Sequence, residues 1–566
     1  MEKLKSLPLR FLDKVKENPE KKLRILLIVL VSISLLTVSL IIKNMVSNWY
    51  WETRVPSWGF YWTDPELFGT VYEGKIWYLE TYIDSSYYYE PYLQAFRFEN
   101  WNPYAGGPGP LNGYAYGPMF IFGIYFISLL ISLFCPQMPI SELVPLSVKW
   151  THIAFDSLSV VMVYIIIVLL KSFKKKELKR QIYGVLGAVI FMFMPINLLY
   201  VDCVYLNTPQ MTFFTLLSLL LFMKERYRVG AFILSIAWLT KQMPLFLLIP
   251  WFFIVWKKKD LKSAFVDYLF PFLLTTIIIS LPWLIMTPRN YLFRVFGPGR
   301  PLKNFDVETA LSSSFNGRTV TLAHSFLYLG NEGLAIFYHT INRYMIPFLI
   351  FYALAVLLAY FNGEKIGNNE SYLIIITTWI LINTHLFISR GVYKYYNAFL
   401  TPFVVISILV FFDELTTKAA GILKGYLENK KVLTPENKIG NHEEKIAKKN
   451  EIYVKISFYS FLSITFLGFC ALFYYFNWIL IVNSRFLHPL YLLILFIVIS
   501  LLIHPSIYLS LFKASSYIMI WTDLVYIYKE TVKWIISFGK SIKQFSIDNW
   551  KKISNFGESF RKTKEK

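Results

Sequence analysis

The sequence predicts an all-α polytopic membrane protein, and three observations carry that reading. Hydrophobic residues make up 55% of the 566 positions and charged residues 16%. Several apolar runs approach the ~20 residues a helix needs to cross a bilayer. Lys and Arg, which leave a net charge of +21, sit mostly in short clusters beside those runs. The positive-inside rule distributes charge in this way, which argues against a nucleic-acid partner and for membrane lipids. Cys135, Cys203 and Cys470 lack metal-ligand spacing. One Cys135–Cys203 disulfide is compatible with the sequence.

In chain order, residues 1–23 form a basic cytoplasmic tail. The first span, 23–42, follows a basic segment with no small-residue cleavage site and reads as a signal anchor. Residues 43–116 hold eight acidic side chains against four basic ones. They are expected outside, within a first outer loop covering 43–146. Its apolar run 119–134 is read as a helix that does not cross. Crossing there would put Lys171, Lys174, Lys175, Lys176, Lys179 and Arg180 outside. Span 147–170 then leads inward, 182–198 outward and 210–223 inward.

Residues 229–255 have basic flanks at both ends and are too few for two full crossings. They are expected to form two short helices broken at Lys241-Gln242-Met243-Pro244, with Lys241 facing a cavity. Span 264–287 leads to a second outer loop, 288–342, whose arginines (Arg289, Arg294, Arg300, Arg318) run against the charge rule. Spans 345–361, 372–389 and 397–412 complete a module over 24–412. A cytoplasmic linker (413–452), a last membrane pair (453–511) and a basic amphipathic tail (512–566) follow. The total is about twelve crossings with both termini cytoplasmic.

The motifs of soluble enzymes are absent: GxxxxGK[ST], HExxH and GxSxG do not occur. An acidic DxD pair is missing too, so no metal and no cofactor is expected. What remains is a set of residues on the outer face. Asp84 heads the run YYYEPY and is read either as a helix N-cap or as a base activated by burial among Tyr87, Tyr88 and Trp101. Aromatic rings, Tyr104 among them, suit sugar faces. Lys241, Arg318, Arg390 and Lys394 suit a phosphate; Arg390 and Lys394 suit equally an interfacial position. Asn207 and Gln210 are read as hydroxyl ligands or as caps of the helix starting at Pro209. His152 and Asp156, one turn apart, are read as pairing with each other and with neighbouring helices, or as a proton relay.

Several of these motifs occur in an order that resembles the C-type (GT-C) integral membrane glycosyltransferases. They are Asp84-x-x-Tyr87-Tyr88, Asn102-Pro103-Tyr104, Tyr116-Gly117-Pro118, KWTHIAFDSLSVVMVYIIIVLLK, LTKQMPLFLLIP and GVYKYYNAFLTP. The resemblance covers roughly residues 24–410. Where many members have Trp-Gly-Gln-x-Asp, this chain has Tyr205-Leu206-Asn207. The resemblance implies the GT-C fold with a large first outer loop containing non-crossing helices. It also implies a dolichyl- or polyprenyl-phosphate-linked sugar as donor, in the manner of mannosyltransferases. Asp84 would be the general base, and transfer would invert the sugar carbon without a metal. The carrier phosphate would sit near Lys241, Arg390 and Lys394. The acceptor would be a lipid-linked oligosaccharide or surface glycan. A lipid-glycan flippase, or a polymerase using a lipid-diphosphate donor, is the alternative.

Overall fold

The structure, a computed structural model, describes residues 19–50, 88–107, 111, 114–170, 177–203, 205–296, 320–388, 397–432, 487–513 and 515–533, with scattered positions around 460–477 and 536–544. Among them every element is helical and no strand forms. Five helices are long and apolar enough to cross a membrane, or seven if each of two bent pairs is one span. Length and composition therefore point to a membrane protein with several passes. The chain divides into two compact units, Met1–His504 and Pro505–Lys566.

The first unit opens with α1 (Pro19–Trp49), which outruns its expected end at residue 42 by two turns. Its fully buried residues from Leu35 on are Leu35, Ser39, Lys43 and Ser47, an i, i+4 row that leaves the other faces open. A short amphipathic helix, α2 (Glu90–Phe98), leads to α3 (Pro118–Phe134) and then to α4 (Ile140–Val168). Next come α5 (Glu177–Met192), a wide-turned segment Pro195–Cys203 and α6 (Pro209–Met223). Helix α6 begins at Pro209, where the sequence predicts it.

Helices α7 (Tyr227–Thr240) and α8 (Leu248–Lys258) form the expected broken hairpin. Lys241 is extended at the break, and Pro244 sits in the tight turn Met243–Leu247. Pro cannot donate into a preceding helical turn, so α7 stops there. The remaining elements are α9 (Leu261–Met286), α10 (Pro288–Phe296), α11 (Leu322–Tyr328), α12 (Glu332–Arg343), α13 (Ile346–Asn368), α14 (Glu370–Phe387), α15 (Asn397–Val432) and α16 (His488–Leu502). Helix α15 runs without interruption past residue 413.

Two ends of this bundle differ in chemistry. The end where α1 starts, called lower here, carries a belt of ion pairs: Arg24–Glu177 (3.4 Å), Lys179–Asp413, Lys224–Glu370 (3.3 Å) and Arg228–Asp267 (2.6 Å). Lys258 and Lys259 both reach Glu225, at 3.0 and 2.8 Å, and their hydrogen bonds hold its carboxyl down at about 2. These contacts put both flanks of the α7–α8 hairpin at the lower end and Lys241 at the upper.

Helix α3 meets its neighbours at their upper ends. Gly123 lies against the Gln210 side chain, Phe122 against Trp283, and Gly117 against the Leu239 backbone. Between helices, hydroxyl and indole bonds join the elements: Ser39 to Ser157 (3.0 Å), Trp251 to Thr377 (3.1 Å), Thr378 to Ser407 (2.8 Å) and Trp379 to Ser500 (2.7 Å). In lipid such bonds contribute about 0.6 kcal/mol each, and close approach at small residues supplies the rest.

In the second unit residues 515–533 are helical. At 100° per residue Tyr517, Ile518, Trp521, Leu524, Val525, Tyr528 and Val532 share one face. Thr522, Asp523, Lys529, Glu530 and Lys533 share the other with Met519 and Tyr526.

A Cβ on Gly117 would stand 1.8 Å from the Leu239 carbonyl oxygen, a backbone atom that cannot swing aside. Gly117→Ala is expected to cost about 1–3 kcal/mol of stability, read as a lower thermal midpoint in detergent. Gly333→Ala, where a Cβ meets nothing within 4 Å, serves as the control.

Candidate functional site

The upper end is organised by residues 195–210, which follow α5 and precede α6. Pro195 starts a short helical turn that widens at Leu198–Cys203, turning Asp202 inward, where it is fully buried. The amine of Lys43, also fully buried, donates to Asp202 Oδ2 at 2.6 Å and to Asp156 Oδ2 on α4. Asn197 donates its Nδ2 to Asp156 Oδ1 and to the Ala398 carbonyl, each at 3.4 Å, which ties in the start of α15. One cation thus answers two carboxylates in a site closed to water. Burying charges is tolerable only with such pairing.

Lys43 is a functional candidate that the sequence reading missed, because its first span ended one residue earlier. The signal was available: Ser39, Lys43 and Ser47 recur at the i, i+4 spacing of one helix face. The expected His152–Asp156 pair is corrected by the same geometry. Asp156 is taken by Lys43, while His152 bonds the Val148 carbonyl of its own helix at 2.7 Å and stacks on Tyr89, centroids 5.9 Å apart.

Three residues beyond Asp202 the chain takes a left-handed turn at Tyr205 (φ 56°), uncommon for a bulky residue. Its hydroxyl is held by Ser47 at 2.6 Å and its ring lies against His152. This strained turn aims Asn207 at Lys241: the buried lysine amine donates to Asn207 Oδ1. His385, near the upper end of α14, is fully buried and feels the Lys241 charge. The segment 195–210 therefore bonds both Lys43 and Lys241, the buried lysines of the upper end among the described residues. Gln210 is buried against Gly123 on α3, and its amide atoms have no hydrogen-bond partner among the described residues. The cap role for Asn207 and Gln210 is not realised, since α6 has Thr208 as N-cap and no side-chain cap bond.

The described part of the first loop folds over the same helix ends. Tyr88, Tyr92 and Trp101 form a row of rings, 6.0 and 5.6 Å between successive centroids. Tyr104, expected to face a sugar, is instead wholly buried. Its ring packs on Tyr114, Trp283 and Tyr291, and its hydroxyl donates to the Tyr116 carbonyl at 2.8 Å. Burial holds its phenol well above the ordinary value, so it is a structural post. Gln242, beside Lys241, donates to the Ala115 and Val295 carbonyls, and Arg294 donates to the Tyr114 carbonyl. Glu90 starts α2; burial alone pushes its carboxyl up to about 7.

Asp84, Tyr87, Arg318, Arg390 and Lys394 lie outside the described residues. Their flanks include Tyr88 on one side and Ile388 and Asn397 on the other; Asn397 pairs with His488 at 3.1 Å. Cys135 is exposed and Cys203 buried, and no disulfide joins them, so the one pairing the sequence left possible is not made. Among the described residues no three His, Cys, Asp or Glu side chains gather as a metal-ligand set. No family model matches this chain, and comparison with curated proteins finds no match.

Lys43→Met alone would leave two buried carboxylates facing each other without a cation. It is expected to cost about 3–5 kcal/mol. Lys43→Met combined with Asp156→Asn and Asp202→Asn removes the charges together and should recover most of that loss. Thermal unfolding in detergent, followed by monodispersity on size exclusion, checks both.

Proposed function

We propose that this protein is a membrane glycosyltransferase of the C type. It would move a sugar from a dolichyl- or polyprenyl-phosphate carrier to an acceptor on the outer face. The observation that carries the proposal is Lys241. It is a buried cation at the break of a helical hairpin, bonded to Asn207 and placed beneath an aromatic loop. An amine at membrane depth is expensive and serves a site by default. A lipid-borne phosphate is the anion that reaches such a depth while keeping its sugar at the surface. The lower belt of Lys and Arg suits the cytoplasmic side, which turns the upper end outward. The about twelve crossings read from the sequence stay part of this proposal, beyond the five to seven helices long and apolar enough to cross among the described residues.

In the reaction a first-loop carboxylate, Asp84 by resemblance, takes the proton of the acceptor hydroxyl. The freed oxygen attacks the sugar carbon from the face opposite the carrier, and the lipid phosphate leaves with the bonding pair. Lys241 stabilises the charge that develops on that phosphate. By the same resemblance the transfer would be metal-independent. A transporter is the second reading, favoured by one observation: charged groups buried at a broken helix are also how carriers build midplane sites.

The test is transfer of radiolabel from polyprenyl-phosphate-mannose and polyprenyl-phosphate-glucose by the purified protein in lipid. Wild type should label an extractable lipid or glycan. Asp84→Asn should lower the rate about 10²–10⁴-fold, the range for loss of a general base. Lys241→Met should lower it about 10²–10³-fold. Wild-type rates in Asp84→Asn would remove the assignment of the base. Movement of lipid-linked sugar across vesicles without any transfer would replace the enzyme by the transporter.

A further inference from the structure

Lys43, Asp156 and Asp202 set one positive charge against two negative ones, and none of the three side chains is more than 1% exposed. Both carboxylates receive the same amine, Asp202 through Oδ2 at 2.6 Å and Asp156 through its own Oδ2. The two oxygens therefore stand no more than about 5 Å apart, a separation at which like charges in a buried site are not both held. The cluster carries one negative charge more than its cation answers. The titratable groups around it leave that excess in place. On α1, Tyr50 stands two turns beyond Lys43. On α4, Lys149 reaches Asn48, and His152 gives Nδ1 to the Val148 carbonyl. The segment itself carries Tyr200, Cys203 and Tyr205, the last held by Ser47. Lys241, farther along, is bonded to Asn207.

The two carboxylates are not equivalent. Asp156 has a donor on each oxygen, Lys43 on Oδ2 and Asn197 Nδ2 on Oδ1. Donors on both oxygens favour the ionised form. Asp202 receives Lys43 on Oδ2, while its buried Oδ1 has no hydrogen-bond partner among the described residues. A bare carboxylate oxygen away from water is costly, and a proton there removes the charge. Two further buried atoms of the cluster lack a partner among the described residues: Asn197 Oδ1, on the same segment, and His152 Nε2, one turn from Asp156. With Nδ1–H given to Val148, both are acceptors, so the cluster is short of a donor. A protonated Asp202 is such a donor. All three atoms are closed to solvent, and a proton is the cation that enters without a cavity.

We propose that the cluster is a proton-binding site: Asp202 holds one exchangeable proton on Oδ1, and its loss loosens segment 195–210 from α1 and α4. The O–H bond forms with a proton taken from water while the segment is open, and the proton returns to water by the same route. With Asp202 neutral, Lys43 and Asp156 make a balanced pair, and the segment lies against both helices. With Asp202 ionised, repulsion from Asp156 works against that position. The left-handed turn at Tyr205, three residues on, depends on it, and Asn207 with its bond to Lys241 follows. The Lys241 site is thus assembled in the protonated form. This switch acts whichever substrate Lys241 serves, transferred or transported.

The experiment follows thermal unfolding of the full chain in lipid nanodiscs from about pH 5 to about pH 9, wild type beside Asp202→Asn. Asparagine offers Lys43 an oxygen and carries N–H in place of the O–H, so it copies the protonated form at every pH. A carboxyl that keeps its proton in the folded state stabilises that state fully below its ordinary value of about 3.9, and the contribution is lost as pH rises through its value in the cluster. The wild-type midpoint should therefore fall relative to the variant's as pH rises, with the folding equilibrium changing by up to about tenfold per pH unit. Groups common to both proteins cancel in the difference. Hydrogen exchange of the peptide 198–206 should diverge in the same way, faster in wild type at alkaline pH and equal at acid pH. If Asp202→Asn does not fold, the comparison is made with Asp156→Asn, which leaves Lys43 and Asp202 as the balanced pair. A midpoint difference that stays constant across the range overturns the proton site. Diverging midpoints with unchanged exchange uphold the proton and overturn the loosening of the segment. A rise in midpoint when sodium replaces choline, lost in Asp202→Asn, overturns the proton in favour of a metal ion.

Discussion

The contact on which the upper end depends is the amine of Lys43 held between Asp156 and Asp202. Three elements far apart in the chain meet there, α1, α4 and the segment before α6. None of the three side chains is exposed to water. Each alone would be a costly buried charge, so the three elements are obliged to come together. The rest of the upper end is hung from this point. Asp202 fixes where the chain stands as it enters the left-handed turn at Tyr205, and Ser47, one turn above Lys43, holds that residue's hydroxyl. Asn207 is then presented to Lys241. Strain of this kind persists only where its surroundings over-determine it, and here the anchors lie on α1 and α4.

A division of labour between the two ends follows. At the lower end several pairs have a partly exposed partner, as in Lys258 and Lys259 around Glu225 or Arg228 with Asp267, while Glu370 and Asp413 are buried. Exposed pairs of this kind are worth little individually. At the upper end the two lysines are buried and bonded to groups of one segment. A helical hairpin is broken there instead of being continued, and aromatic residues fold across the break. Cost without structural return is the usual signature of a working site. That contrast supports the reading of Lys241 as the seat of a lipid-borne phosphate.

Much of the scaffold was legible in the sequence because it is written in charge and proline. The hairpin break at Lys241 to Pro244 follows from basic flanks at both ends of too short a stretch. The start of α6 follows from Pro209. Harder to read were the polar residues inside helices. Lys43 looked like the end of a span because hydropathy falls there, whereas its i, i+4 companions Ser39 and Ser47 show a buried face. His152 and Asp156 invited pairing by spacing alone, but a side chain one turn away lost to a cation from another helix. Tyr104 shared its composition with the rings expected to meet sugar. Only tertiary packing against Trp283 and Tyr291 separates a buried post from an open platform.

The most direct measurement of the central claim is a cryo-EM structure of the full chain in lipid with a polyprenyl-phosphonate sugar analogue that cannot be cleaved. The account predicts phosphonate density at the upper end, beside Lys241 and Asn207, with the sugar directed toward the Tyr88–Trp101 side of the first loop. Density at the lower belt around Lys224 and Lys258, or an analogue that binds equally well to Lys241→Met, would contradict it.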